Sequence, residues 1–254
     1  MRGKRNPIWW QTTVASAGNL TSAVYRIFGK PFSEEGKKLF GVPFAQFLKL
    51  NSEFRYHYRI DKNQMIASRI AGGVIWSYGN ATTAPYTEQF YIGGANSVRA
   101  FSARSIGPGG YPPETDRKYT YINHVGDIRI EANIEYRFRM IADLHGAVFL
   151  DAGNVWLMRK DENRPNGEFT LKNFPKQIAL GTGFGLRYDL DFLVFRLDLG
   201  IGLHDPYDTG KSGYYNIPKF KDSMALHFVH RLSVLNVRFC TDMVRMTKTT
   251  LPVS

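Results

Sequence analysis

Apolar and polar residues alternate along much of this chain with a period of two. In residues 126–137, Asp127, Arg129, Glu131, Asn133 and Glu135 share one parity, and Ile128, Ile130, Ala132, Ile134 and Tyr136 share the other. An extended strand sends successive side chains to opposite faces, so this stretch predicts a strand with one polar and one apolar face. Residues 47–60 repeat the pattern, with Lys49, Asn51, Glu53, Arg55, His57 and Arg59 opposite Leu48, Leu50, Phe54, Tyr56, Tyr58 and Ile60. In residues 192–203, Leu193, Phe195, Leu197, Leu199, Ile201 and Leu203 oppose Arg196, Asp198, Gly200 and Gly202. In residues 178–188, Ile178, Leu180, Phe184, Leu186 and Tyr188 oppose Gly181, Gly183, Gly185 and Arg187. Weaker alternation covers 7–20, 63–78 and 144–158, and a last strand starts at Ser223–Phe228.

A soluble β-sandwich alternates too, but its strands average about 5–6 residues, whereas tilted membrane strands need about 9–11. Several of these segments reach membrane length. Their apolar faces are rich in Leu, Phe, Tyr and Trp, as lipid-facing and interfacial positions are. The connections alternate as well: long ones fall near 21–43, 79–125, 159–176 and 204–222, short ones near 61–63, 140–143 and 189–191. Short turns on one side of a membrane and long loops on the other are the habit of outer-membrane barrels. The pattern predicts an all-β, antiparallel transmembrane β-barrel fold with about eight strands present. Leu193, Phe195, Leu197, Leu199 and Ile201 are the expected lipid contacts, and 21–43 has room for a helical turn or two.

Composition bears on this in three places. The chain has 33 Lys+Arg against 22 Asp+Glu, a formal net charge of +11. The cations alternate with apolar residues instead of forming a basic helix or arm, so no nucleic-acid partner is implied; a polar barrel interior absorbs them. Mean hydropathy is −0.29, which suits a barrel in which every second residue faces lipid. The single cysteine, Cys240, leaves no disulfide within the chain and no multi-cysteine zinc site. The glycines of GTGFG (181–185) lack nucleotide-loop spacing and lead into strand-like sequence, so they are expected to make room for something packed against that face. DAGN (151–154) is too short for a calcium loop, the six histidines have no metal-ligand spacing, and no nucleophile–base pair is evident. No cofactor and no enzymatic activity are implied.

The longest connection holds FYIGGANSVRAFSARSIGPGG (90–110). Gly93-Gly94 and Gly109-Gly110 permit backbone conformations closed to other residues. Between them Arg99 is flanked by Val98, Ala100 and Phe101. This stretch resembles the inward-folded loop of the BamA/TamA-type outer-membrane assembly and translocation superfamily, the bacterial surface antigen family. Its signature there is Val-Arg-Gly-Phe or Val-Arg-Gly-Tyr after an aromatic and Gly-Gly; Ala100 stands where Gly is usual. EANIEYRF (131–138) and VFLDAGNVW (148–156) resemble the two strands that follow. The resemblance implies that Arg99 reaches into the barrel and pairs with Glu135 and Asp151. Glu131, on the same face as Glu135, is the alternative partner, and a water-bathed lumenal charge is the alternative for each acid. An arginine in a confined lumen has to be paired or its desolvation is costly, and its planar fork can take two carboxylates.

The same resemblance implies a sixteen-stranded barrel of which this chain is the C-terminal half, with the first strands and periplasmic POTRA domains upstream. The N-terminal MRGKRNPIWWQTT lacks the apolar core of a signal peptide, in keeping with such a fragment. Residues 1–228 read as barrel; 229–254 read as an aberrant tail. Val229 to Asn236 can be encoded as GTT CAT CGG CTA TCC GTT TTA AAC, and one base later this gives Phe-Ile-Gly-Tyr-Pro-Phe-stop, a family-like ending, so a frameshift is expected. By resemblance the whole protein inserts or translocates client outer-membrane proteins or exported polypeptides in contact with outer-membrane lipid, by pairing an incoming strand at a lateral seam. A passive channel or a small self-contained eight-stranded barrel is the alternative. An upstream lipase or protease domain, known in the family, is a third.

Overall fold

A computed structural model of the chain describes residues 6–29, 36–112, 123–190, 193–211, 213–217 and 223–232. Strand β1 (Ile8–Ala17) is followed by helix α1 (Asn19–Ile27) and a small hairpin, β2 (Lys38–Leu39) and β3 (Val42–Pro43). Then come β4 (Phe47–Arg59), β5 (Gln64–Ser77), β6 (Ile128–Ile141), β7 (Leu144–Trp156), β8 (Ala179–Leu190), β9 (Leu193–His204) and β10 (Met224–Leu232). The long strands run 9 to 14 residues. All pair antiparallel in one 8-stranded meander, β1-β4-β5-β6-β7-β8-β9-β10, so β1 and β10 are its edges among the described residues. Tight turns suffice to join antiparallel neighbours; they fall at 60–63 and 142–143, and only two residues separate β8 from β9 at the same end. The connections at the other end are long. The helical turns expected within 21–43 form α1, which starts earlier, at Asn19.

Burial is turned inside out relative to a soluble protein, whose charges face water and whose apolar residues hide. Glu131, Glu135, Asp151 and Asp198 are buried, while Ile134, Val148, Leu150, Phe184 and Leu197 are exposed. Along β9 the even positions Asp198, Gly200, Gly202 and His204 are buried and the odd positions are not. Leu193, Phe195, Leu199 and Ile201 are half-buried beside exposed Leu197, and the Phe195 ring stacks on Phe228 of β10 at 6.1 Å. None of the five joins the hydrophobic core.

That core lies on the opposite, inner face. Phe47, Ile75, Val155 and Ala179 project from β4, β5, β7 and β8 at the long-loop end. They meet Ala84, Phe90, Ile92, Val98 and Ile106 of the β5–β6 connection. The inner face is therefore polar only part of the way along. Where the connection folds over it and excludes water, apolar side chains replace charges, as the hydrophobic effect favours. The strand β10 continues through Leu232, pairing with Leu193; residues 233–254 of the expected tail lie outside the described residues.

Candidate functional site

The β5–β6 connection turns back on itself against the inner face. The Gly94 amide donates to the Phe101 carbonyl (2.7 Å) and the Arg104 amide to the Ile92 carbonyl (3.0 Å), which closes a compact tip around Asn96–Ala100. Gly93 (φ +94) and Gly94 (φ +87) make this turn in the left-handed region, where a side chain is strained. Two arginines from separate strands grip the tip. Arg69 of β5 donates to the Asn96 carbonyl (3.3 Å), and Arg196 of β9 to the Ala95 carbonyl (2.6 Å) and the Asn96 amide oxygen (3.2 Å).

Arg99 points from this tip into the sheet and is almost wholly buried. Its Nε donates to Asp151 Oδ2 at 2.7 Å and its Nη2 to Asp151 Oδ1 at 2.8 Å, a bidentate fork. Its own amide donates to Asp151 Oδ2 at 3.0 Å. Nη1 donates to Glu135 Oε2 and lies 3.8 Å from Asp198 Oδ2. The guanidinium sits 3.5 Å from the centre of the Phe149 ring, a favourable seat for a desolvated cation. Asn133 Nδ2 bridges Asp151 Oδ1 (2.8 Å) to the Ser97 carbonyl (2.9 Å). Two carboxylates thus engage all three nitrogens of one fork, which offsets the cost of burying the charge.

The structure brings Arg99, Glu135 and Asp151 together. Glu131 is elsewhere: it accepts from Arg69 Nη2 at 3.3 Å and from Ser97 Oγ, and lies 3.5 Å from Arg129. It holds the loop through Ser97 instead of Arg99. Val98 is fully buried in the core cluster and Phe101 packs against it. The Ala100 methyl lies over Gly181, so the departure from glycine at Ala100 is accommodated by the absent side chain of the residue beneath it. Val98→Ala should cost about 1.5–3 kcal/mol of stability, read by chemical unfolding of the protein in detergent; an unchanged midpoint would place Val98 outside this contact.

Further members of the cluster are visible only in the fold. Glu135 is shared with Arg137 (Nε, 2.5 Å) and Arg187 (Nη2, 2.9 Å). Asp198 pairs with Arg196 and lies 3.3 Å from Arg187 Nη2. His227 of β10 meets the Arg99 carbonyl at 2.9 Å through Nε2, which must carry the proton because a carbonyl only accepts. The signal for Asp198 was its parity with Gly200 and Gly202. In the loop after β9, Asn216 is buried against the Asp205 amide (2.7 Å) and carbonyl (2.9 Å), and burial beside Asp205 pushes the Tyr207 phenol up to about 12.

A family model described as the Omp85 superfamily domain matches residues 38–218, a span that contains the loop, Arg99 and all three acids around it. This chain belongs to the Omp85 superfamily. The location that goes with such a barrel segment is the bacterial outer membrane. A curated relative, the outer membrane protein assembly factor BamA of Nitratidesulfovibrio vulgaris, is 28% identical over 204 residues, covering 78% of this chain and 22% of the relative. The crystal structure of Haemophilus ducreyi BamA lacking POTRA domains 1–3 superposes with a TM-score of 0.51 at 16% identity, covering 73% of this chain and 35% of that one. That second likeness speaks to the Omp85 fold alone. The chain spans about a fifth of the curated relative's length and about a third of the solved one's.

Proposed function

We propose that these eight strands are the C-terminal half of a larger, sixteen-stranded barrel that inserts or translocates proteins at the outer membrane, and that the Arg99 loop braces its lumen. The observation that carries this reading is the fork of Arg99 onto Asp151 and Glu135 beneath a loop tip held by Arg69 and Arg196. An inner face covered at its long-loop end by a pinned loop suits a brace better than an open pore. The name of the Nitratidesulfovibrio vulgaris relative, an assembly factor, supports the same role. In this reading POTRA domains and the first strands lie upstream, and client outer-membrane proteins or exported polypeptides are the partners.

The work is done by backbone hydrogen bonding and not by covalent chemistry. An edge strand presents unpaired N–H and C=O groups that template a new strand. β10 is such an edge, with Leu226 and Phe228 exposed on its outer face. A photo-crosslinking residue at Leu226 in the full-length protein should capture client strands during assembly. Steady ion conductance without client adducts would favour a passive channel instead.

The outer face is proposed to meet hydrocarbon. Leu197→Arg, at an exposed position of β9, should then cost about 2–4 kcal/mol near the bilayer midplane. Refolding titrations into lipid vesicles measure this, and an equal stability of variant and parent would take Leu197 out of the membrane. The reading of 229–254 as a frameshifted tail is tested by the gene: absence of the shifted-frame ending overturns it.

A further inference from the structure

Below the loop tip the inner face carries two adjoining cavities of about 710 and 540 Å³, both open to solvent, that share Arg137. The larger opens at the short-turn end, between the 60–63 turn and the β8–β9 hairpin; the smaller reaches up to the loop tip at Ala95–Ser97. Their walls carry eight Arg or Lys side chains, Arg55, Arg59, Lys62, Arg69, Arg99, Arg137, Arg187 and Arg196, against three acids, Asp61, Glu135 and Asp189. Six of the eight are ion-paired, Arg55 and Arg69 with Glu53, Arg99 with Asp151 and Glu135, Arg137 and Arg187 with Glu135, and Arg196 with Asp198, so the unpaired charge lies at the short-turn end. Neither Arg59 nor Lys62 has an acidic partner among the described residues, and Glu135 already serves Arg99, Arg137 and Arg187. Arg187 is more than nine-tenths buried. Its Nη2 reaches Glu135 and Asp198 at ion-pair distances, but its Nη1 has no hydrogen-bond partner among the described residues. A buried donor left unmatched is costly; Nη1 lies beside Gly185, and other atoms of Arg187 line the larger cavity.

We propose that this space is a receptor for an acidic, extended polypeptide segment entering from the short-turn end. Guanidinium forks match carboxylates. Ile60, Met65 and Val194 offer apolar wall between the cations, suited to the aliphatic parts of a peptide. The path is long: Arg55 and Arg59 on one strand are about 13 Å apart at the strand rise, room for some four extended residues. The space opens within the sheet's inner face and away from the outer, apolar face, which favours a chain threaded along the lumen over the headgroup of a membrane lipid. This inference rests on the inner-face geometry and not on the assembly role.

The test is fluorescence anisotropy of labelled hexaglutamate and hexaglutamine with the protein in detergent, at low and high salt. Hexaglutamate should bind and hexaglutamine should not. Salt should weaken the binding, since screening shortens the reach of exposed charges. The double variant Arg59→Glu, Lys62→Glu alters exposed residues at the end of β4 and in the turn after it, outside the Arg99 cluster, and should weaken binding by about tenfold or more. Equal binding of hexaglutamine, or undiminished binding by the double variant with unchanged heat-modifiable migration, overturns the proposal. Displacement of hexaglutamate by millimolar inorganic phosphate would also overturn it, in favour of a small-anion site. Failure here with intact client assembly sinks this inference and leaves the assembly reading standing.

Discussion

Arg99→Ala in the full-length protein should release the β5–β6 loop and cost about 3–5 kcal/mol, the usual penalty for removing one partner of a buried ion pair. The loss is asymmetric. Glu135 keeps Arg137 and Arg187, whereas Asp151, once the loop has left, keeps only Asn133 Nδ2 as a side-chain hydrogen-bond donor among the described residues. Asp151 is fully buried, so its stranded charge should dominate. Arg99→Lys should recover a minor share, because an ammonium is a point charge and cannot span both carboxylates. The measurements are the heat-modifiable shift on gels, protease nicking within 79–125, and outer-membrane protein levels in cells. Wild-type behaviour of Arg99→Ala in all three would end the proposed bracing role.

How much of this was legible beforehand follows from range. The strands, their order and the alternation of short turns with long loops were readable because a strand's two faces are written into neighbouring residues. Arg99, Glu135 and Asp151 were reachable through the resemblance of three short motifs. The third acid was not: Asp198 approaches Arg99 only once β7, β8 and β9 are paired in register, and nothing local encodes that meeting. Parity alone allowed Glu131 as a partner. The tip's own turn decides otherwise, bringing Ser97 to that carboxylate and Arg99 to the next. The apolar patch under Val98 ran against the expectation of a polar inner face. Phe47, Ile75 and Val155 share parity with charges, and only the loop overhead explains their being dry.

Gly200→Val should match Arg99→Ala in effect while leaving every charged partner in place. A Cβ at Gly200 would lie 2.6 Å from the Arg99 carbonyl carbon and 2.7 Å from the Ala100 Cα. Both are backbone atoms, which cannot rotate aside as a side chain would. Overpacking of this kind costs about 1–3 kcal/mol where the structure can yield. Here the yielding part is the loop itself, so its departure adds the loss of the Arg99 pairs. The double variant Arg99→Ala, Gly200→Val should then cost little more than either change alone, since both undo one contact. Gly202 is the control. A Cβ there meets only side-chain atoms at 3.4–3.5 Å, and Gly202→Ala should stay within about 0.5 kcal/mol of the parent. Full additivity in the double variant would show that Gly200 acts apart from the loop.

The hydrogen bond from His227 to the peptide carrying Arg99 links the sheet's last strand to its centre. If β10 is dragged aside, the carbonyl it holds is pulled, and the guanidinium of the same residue shifts relative to Asp151. Rim and middle are geared together, so a newcomer prying at the edge would be felt at the buried charges without any signal having to cross open water.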